Sequence, residues 1–256
     1  MRGDNKYDLS LIEKWSSTVY QTRLAVFQPT RRPRSIVGRI FESAHGSCEV
    51  TGRLGQQHAD VLDAICSEHI DMQLDNVGRL SFLLDPYKLT KATGLRTNII
   101  DAALRDIMAA LVDLQFETDG EQHHVTCHIV DMVRRTESTL TPHVGMTVGE
   151  RKKWVVTFST QWSHFMSHDI KVFYPVNKVA GLEHGISQAV ARYVLSHRLV
   201  PRGGWRMDSV LMAVGVSDNS TDMRNRRREL RQDASELVAL GIIITADDHI
   251  NLAGGV

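Results

Sequence analysis

The sequence has few cysteines, few prolines and no net charge. Its 256 residues include three Cys and six Pro, and its 30 basic side chains balance its 30 acidic ones. Three cysteines, none of them in a C-x-x-C pair, do not make a disulfide framework and favour a reducing compartment. The zero net charge gives no general attraction to a polyanion, so contact with nucleic acid requires a local cluster of cations.

Long hydrophobic runs are also absent. Residues 1–15 contain no apolar segment of a signal peptide, and no stretch approaches the ~20 apolar residues that cross a bilayer. Because 42% of the residues are hydrophobic, the chain can still bury a sizeable core. We expect a soluble cytoplasmic protein without membrane contact, long enough for two modest domains or one large one.

Sequence signatures of catalysis are missing as well. There is no G-x-x-x-x-G-K-[ST] phosphate loop, which argues against an ATPase or a helicase. The His-hydrophobe-His element of rolling-circle nickases is absent, and the pair Asp247 and Asp248 lies on a predicted turn. We therefore predict that the protein is not an enzyme and needs no cofactor.

Four side chains of the zinc-binding type occur close together, at His123, His124, Cys127 and His128. On a strand, residues 124 and 128 face one way and residues 123 and 127 face the other, so the four do not converge. We predict no metal site here, and a hairpin whose polar side chains meet water or phosphate.

Positive charge is concentrated late in the chain. Residues 151–256 carry 14 basic and 10 acidic side chains, a net charge of +4, whereas residues 1–150 carry 16 and 20, a net charge of −4. Five arginines lie between Arg224 and Arg231. If either part binds DNA, the second part is the better candidate.

These arginines belong to a helix predicted within residues 217–241, which Ser220 or Thr221 can cap and Gly241 can end. Its predicted core side comprises Met223, Leu230, Ala234, Leu237 and Val238. Its predicted exposed side comprises Thr221, Arg224, Asn225, Arg228 and Gln232. Arginine can form two hydrogen bonds with the edge of guanine, and asparagine can do so with the edge of adenine. Most charged helix faces, however, are simply exposed to solvent.

The predicted elements follow one order twice: helix, short helix, glycine turn, longer helix, hairpin. The first series comprises a helix over His58–Ile70, a strand over Arg79–Leu83, helices over Tyr87–Thr93 and Asn98–Leu114 with Gly94 between them, and a hairpin of Phe116–Glu117 with His124–Val130. The second comprises helices over Ile186–His197 and Met207–Val214, Gly215, the arginine helix, and a hairpin of Ile242–Thr245 with His249–Leu252. This is the order of a winged helix-turn-helix. We predict an α+β fold of two tandem winged helix-turn-helix domains.

The predicted domain limits are residues 1–135 for an N-terminal winged-helix domain with an extension, 136–153 for a connector, and 154–256 for a C-terminal winged-helix domain. In the extension, Leu9–Val19 is a predicted short helix. Arg31, Arg32 and Arg34 form either an arm that contacts phosphate or a solvated loop. Trp162 and Phe165 are compatible with an interface or with the core.

Residues 79–253 resemble the plasmid replication initiators built from tandem winged-helix domains, most closely the iteron-binding initiators of IncQ-type plasmids. The resemblance is carried by KLTKATGLRTNIIDAALRDIMAALVDL (88–114), WVVTFSTQWSHFM (154–166), ISQAVARYVLSHR (186–198) and STDMRNRRRELRQDASELVALG (220–241). It implies a bacterial protein that binds repeated sites in double-stranded origin DNA. It also implies contact with host or plasmid replication proteins, and a homodimer or a monomer–dimer equilibrium.

In that family the last segment aligns with the recognition helix of the second winged helix, which implies major-groove contacts from Thr221, Arg224, Asn225, Arg227 and Arg228. From their positions on the helix, we expect Arg224, Asn225 and Arg228 to read base edges, and Arg226, Arg227 and Arg231 to contact phosphate. The full set of predicted DNA-binding residues is Ser220, Thr221, Arg224, Asn225, Arg227, Arg228, Arg231, Arg96, Thr97, Asn98 and Arg105. The last four lie on the first domain's long helix, where a solvated surface or a dimer surface is an equal alternative.

The resemblance thus implies a sequence-specific double-stranded DNA-binding initiator of plasmid replication, which binds repeated (iteron) origin sites, promotes origin opening and recruits replication proteins. A winged-helix transcriptional repressor is the alternative within the DNA-binding class. A metal-dependent nucleic-acid enzyme centred on residues 123–128 and a winged-helix protein-interaction module are the alternatives outside it.

Overall fold

A computed structural model describes residues 14–43, 45–118, 121–139 and 150–253. Its elements are, in chain order, β1 (Ser17–Thr18), α1 (Val19–Arg23), β2 (Ile36–Ser43), β3 (Gly46–Gly52), α2 (Gln56–Glu68), β4 (Asp71–Leu74), β5 (Leu80–Leu84), α3 (Pro86–Thr93), α4 (Thr97–Ala109), β6 (Leu111–Thr118), β7 (Glu121–His128), β8 (Val130–Thr139) and β9 (Glu150–Phe158). They continue with α5 (Thr160–His168), β10 (Lys171–Val172), α6 (Val176–Ala180), α7 (Gly185–Leu195), β11 (Trp205–Arg206), α8 (Met207–Ala213), α9 (Ser220–Gln232), α10 (Ala234–Val238), β12 (Ile242–Ile244) and β13 (His249–Leu252).

The fold mixes helices with several small sheets. In the described part of the chain the sheets have the strand orders β2-β3-β6-β7, β4-β5-β9-β8, β11-β13-β12 and β1-β10. Their strand pairs are antiparallel. None of the described helices is both long enough and apolar enough to cross a membrane.

Local sequence signals explain α3. The carboxylate of Asp85 accepts a hydrogen bond from the Tyr87 N–H at 2.9 Å, which caps the helix, and Pro86 occupies its first position. Gly94, with φ +68°, closes the helix in the left-handed conformation that glycine tolerates best. The predicted short helix and the glycine turn after it are confirmed here.

The following helix, α4, is shorter than predicted. It begins at Thr97 but ends at Ala109, and the predicted helical residues Leu111 and Leu114 belong to strand β6. In β6, Val112, Leu114 and Phe116 alternate as buried residues, and the strand pairs with both β3 and β7. The spacing of these apolar residues is compatible with a helix and with a strand. Pairing with β3 and β7 determines that the segment forms a strand.

The predicted connector over residues 136–153 is wrong at both of its described ends. Residues 136–139 continue β8 and residues 150–153 begin β9, and these two strands pair with each other. The predicted boundary between residues 153 and 154 therefore lies inside a strand. Because β9 also pairs with β5, Val156 opposite Phe82, the start of the predicted C-terminal domain belongs to a sheet formed largely by earlier residues.

The predicted helix over Leu9–Val19 lies outside the described residues up to residue 13, and Ser17–Thr18 form strand β1 instead. The helix predicted over His58–Ile70 is present as α2, but it begins at Gln56 and ends at Glu68. Trp162 and Phe165 belong to the core, with relative exposures of 0% and 5%. The three cysteines are buried and unpaired.

A buried network of charges joins α2 to α7. The Arg192 guanidinium donates to Asp63 at 2.7 Å, to Asp60 at 2.5 Å and to Gln56 at 2.7 Å, and the Tyr174 hydroxyl donates to Asp63 at 2.8 Å. All of these side chains are buried. The hydrophobic core around them is one connected cluster that extends from Trp15 to Ile250. The earlier and later parts of the chain are therefore packed together through a shared interior.

Candidate nucleic-acid interface

Helix α9 has its own anchorage in the fold. Asn219, rather than the predicted Ser220 or Thr221, caps it, because the Asn219 Oδ1 accepts a hydrogen bond from the Thr221 N–H at 2.9 Å. Met223 and Leu230 are its buried side chains. The helix packs against α7 and α8. These contacts direct one side of α9 to the core and leave the other side in solvent.

The turn before α9 is fixed by Gly215, as predicted. Its φ is +89°, and a Cβ at this position would lie 3.0 Å from the ring of Phe41 on strand β2. Glycine is therefore favoured here for two reasons, the positive φ of the backbone and the close approach of the Phe41 ring. Strand β2 thus supports the turn between α8 and α9.

The predicted helix to residue 241 is divided into two. Helix α9 ends at Gln232, and α10 starts at Ala234. At the junction, the buried Asp233 carboxylate accepts hydrogen bonds from the backbone N–H of His184 at 2.9 Å and from the His184 ring Nδ1 at 3.0 Å. After this break Leu237 remains buried, whereas Val238, predicted to face the core, is 57% exposed.

The predicted exposed side of α9 is largely in solvent. Ser220, Thr221, Arg224, Arg228 and Gln232 are exposed, and Asn225 is half-buried beside them. Thr221, Arg224 and Arg228 follow the spacing i, i+3, i+7 and so form one row along the helix. The structure brings together the three residues predicted to read base edges, Arg224, Asn225 and Arg228.

The other three arginines of α9 form ion pairs. Arg226 lies between two acidic residues of its own helix, with Nη1 2.9 Å from Glu229 and Nε 3.5 Å from Asp222. This position, three to four residues from each acid, is typical of pairs along a helix surface. Arg226 is therefore already paired, although the sequence predicted a contact with phosphate.

Arg227 pairs with Asp208 on the first turn of α8. The Arg227 Nε donates to Asp208 Oδ1 at 2.6 Å, and a second guanidinium N–H donates to Asp208 Oδ2, so the pair is bidentate. The hydrogen bond to Asp208 raises the pKa of Arg227. Arg206 occupies the N-cap position of α8, and Asp208 lies in its first turn. The pair ties α9 to α8.

Arg231 pairs with Asp248 in the turn between β12 and β13. Asp248 adopts a positive φ of 62°. Since Asp247 lies beside it, this turn carries two carboxylates and is a poor partner for phosphate. The hairpin itself is confirmed at its predicted place.

Arg224 and Arg228 differ from these three. Within the described ranges, the ion pairs of α9 involve Arg226, Arg227 and Arg231 only. The exposed row therefore presents two guanidinium groups without an acidic partner. The sequence indicated which residues share this face, but it did not show that Asp208 and Asp248 neutralise their neighbours.

The predicted residues of α4 are also at the surface. Arg96 is the N-cap residue, with no side-chain cap hydrogen bond, and Thr97 and Asn98 follow it as exposed residues. Arg105 donates to Asp101 at 2.5 Å, and Arg135 of β8 pairs with the same carboxylate. Arg105 is thus neutralised, and the amino-terminal residues of α4 are the more open group.

The three arginines of the extension divide between the two alternatives for that segment. Arg31 is part of the internal packing, because its guanidinium donates to the backbone carbonyls of Leu182 at 3.0 Å and Ala180 at 3.4 Å. Arg32 and Arg34 are exposed.

The four side chains of the zinc-binding type do not converge. His124 contacts Asp113 at 2.8 Å, and the His128 ring contacts the Ala110 carbonyl at 2.8 Å. His123 stacks on Phe116, and burial raises the pKa of the Cys127 thiol to about 11, so the thiolate form is disfavoured. Among the described residues, a group with metal-ligand spacing consists of Glu183, His184 and Asp233. There the His184–Asp233 contact already fixes the junction of α9 and α10.

No protein-family model and no curated protein matches this sequence. Solved structures that are similar include a crystal structure of selenomethionine derivatives of domains 2 and 3 of RctB. That likeness has a TM-score of 0.46 and 10% sequence identity, and it covers 88% of this chain and 88% of that chain. A second crystal structure of RctB domains 2–3 is similar with a TM-score of 0.47 and 12% identity, over 84% of this chain and 81% of that chain.

Proposed function

We propose that the protein is a sequence-specific double-stranded DNA-binding initiator of plasmid replication. The observation that carries this proposal is the exposed row of α9, in which Arg224 and Arg228 have no acidic partner among the described residues. Arginine is the side chain that pairs best with guanine edges in the major groove. The protein would bind repeated origin sites and recruit replication proteins without catalysing a reaction itself.

The order of elements supports the interpretation of residues 185–253 as a winged helix-turn-helix. Helix α7, strand β11, helices α8 and α9 and the β12–β13 hairpin follow in sequence, and the three strands form one sheet. In such domains the second helix of the helix-turn-helix enters the major groove, and its first residues contact the base edges. Here that helix is α9.

The same order occurs earlier, from α2 through β5, α3 and α4 to the β6–β7 hairpin. We infer a second winged helix there, with Arg96, Thr97 and Asn98 at the amino terminus of its longer helix. In this part β5 joins β9, and the hairpin joins β3, so the sheets are more extensive. This makes the first unit the better candidate for a dimer surface and the second unit the better candidate for base recognition.

Base recognition by the exposed row can be tested with a selected binding site. We would select duplexes from a random pool with the full-length protein and then titrate single variants against the enriched site and its scrambled version. Arg228→Ala is expected to lose ~1–3 kcal/mol of discrimination at one base position. Arg231→Ala is expected to weaken both duplexes by the same small factor, because Arg231 is already paired with Asp248.

The result that would contradict this assignment is an equal loss on both duplexes for Arg228→Ala. Initiation is separated from repression by a plasmid whose replication requires the selected repeats in its origin. If the protein is an initiator, the wild type maintains this plasmid, and the double variant Arg224→Ala/Arg228→Ala does not. A repressor acts on a promoter carrying the repeats but does not maintain the plasmid.

A further inference from the structure

Two arginines of α9 are held by carboxylates of neighbouring elements. Arg227 pairs with Asp208 of α8, and Arg231 pairs with Asp248 of the β12–β13 turn. The side chains of the first pair are 34% and 37% exposed, and those of the second pair are 49% and 42% exposed. Both pairs are therefore open to solvent and to competing ions.

Helix α9 has anchors in the fold other than these pairs. Exposed ion pairs contribute little to folding stability. The helix is anchored by Met223 and Leu230 in the core and is capped by Asn219. The folding of the helix thus accounts for only part of the role of two acids beside two arginines.

A carboxylate offers a guanidinium group the same kind of bidentate acceptor as a phosphate group does. Arg227 already spans both oxygens of Asp208. To bind a DNA phosphate, Arg227 or Arg231 must first give up its carboxylate, and that carboxylate then repels the incoming anion. The acid therefore competes directly with the DNA backbone.

We propose that Asp208 and Asp248 act as internal substitutes for phosphate, which withhold Arg227 and Arg231 from DNA and so limit the sequence-independent part of the affinity for DNA. This inference rests on the proposed DNA-binding function. Contacts with phosphate strengthen the binding of every sequence alike, whereas contacts with base edges discriminate. Withholding two arginines therefore lowers the affinity for every sequence, so that Arg224 and Arg228 supply a larger share of the binding free energy at a specific site.

The inference is tested with Asp208→Asn and Asp248→Asn in the full-length chain. A fluorescently labelled duplex of arbitrary sequence is titrated with each protein between about 50 and 200 mM salt. Each variant is expected to bind this duplex roughly 3- to 10-fold more tightly than wild type, and the slope of log K against log salt is expected to steepen by about 0.9 per released arginine. The enriched specific site should gain by about the same factor, because a contact with phosphate does not depend on the sequence.

Two further variants serve as controls. Asp247→Asn removes the same charge from the same turn, but Asp247 pairs with His249 and not with an arginine, so it should have a smaller effect and leave the slope unchanged. Asp208→Glu keeps the carboxylate and should stay close to wild type. Urea unfolding of each variant shows whether the folded state is retained.

The possible failures are distinguishable. If wild type binds duplex DNA but Asp208→Asn and Asp248→Asn bind no more tightly than Asp247→Asn, the two acids only brace α9 and the inference is overturned. If wild type and all variants fail to bind any duplex at low salt, the proposed DNA-binding function falls, and this inference with it. Binding by the two variants alone would support the inference strongly.

Discussion

The buried charge of Arg192 is important for the stability of the fold. Its guanidinium satisfies Asp60, Asp63 and Gln56 in the interior between α2 and α7. Burial raises the pKa of both aspartates, and the positive charge of Arg192 opposes that rise. Without the arginine, two carboxylates would remain in a medium that solvates them poorly.

We expect Arg192→Met to lower the free energy of unfolding by ~3–5 kcal/mol, because it leaves two buried acids without their cation. Urea denaturation measures this change. The control is Arg79→Met, which removes a surface pair in which the Arg79 Nε lies 2.8 Å from Asp75 and should cost no more than about 1 kcal/mol. Equal losses for the two variants would show that the network does not hold the two parts together.

His58 is a second residue with a measurable signature. It is buried at the start of α2, where its Nδ1 accepts the Gly55 N–H at 3.0 Å. Burial lowers the pKa of His58, and Asp106 opposes this shift. Because the folded pKa lies below the unfolded value of ~6.5, the stabilisation is complete above that value and is lost as the pH falls through the folded pKa.

The corresponding prediction compares wild type with His58→Gln. The difference in their free energies of unfolding should be largest near pH 8 and should shrink toward pH 5. Urea titrations at several pH values give this difference directly. The contributions of the other titrating groups are the same in both proteins and cancel in the difference. A difference that stays constant across this range would contradict the assigned role.

Among the elements, α9 allows the clearest test of which residue caps a helix. Asn219→Ala removes its cap and should destabilise the protein by ~1 kcal/mol. Ser220→Ala changes the next residue, which the sequence alone also nominated as a cap, and should stay within ~0.5 kcal/mol of wild type. Thermal unfolding of the pair decides between the two caps, and a larger loss for Ser220→Ala would reverse the assignment.

Elements with strong local signals could be predicted from the sequence. Asp85, Pro86 and Gly94 determine the limits of α3, and the i, i+3, i+7 spacing of Thr221, Arg224 and Arg228 identifies the exposed side of α9. These signals act over a few residues and do not depend on distant parts of the chain.

The remaining differences arise from long-range contacts. The end of α4 was missed because Leu111 and Leu114 fit a helix until β3 and β7 pair with them. The β8–β9 pair was missed because its charged residues resemble a connector, although Trp154, Val156 and Phe158 alternate as buried residues. The pairing of Arg227 with Asp208 and of Arg231 with Asp248 also depends on tertiary structure, and no spacing in the sequence predicts it.

At the scale of the whole molecule, the earlier and later parts share one hydrophobic core and one buried charge network. We therefore expect a single cooperative unfolding transition. Urea curves recorded by far-ultraviolet circular dichroism and by tryptophan fluorescence should have the same midpoint. Two separated transitions would indicate that the predicted winged helices fold as independent units.

The support that Phe41 gives to the Gly215 turn has a consequence for protein engineering. The region from α7 to β13 is not expected to fold normally when it is produced without the rest of the chain. It would lose the Phe41 ring that packs against the Gly215 turn, and it would lose Asp60 and Asp63, which neutralise Arg192. An attempt to change the proposed DNA recognition should therefore leave the backbone and its supports in place. It should exchange only the outward side chains at positions 221, 224 and 228.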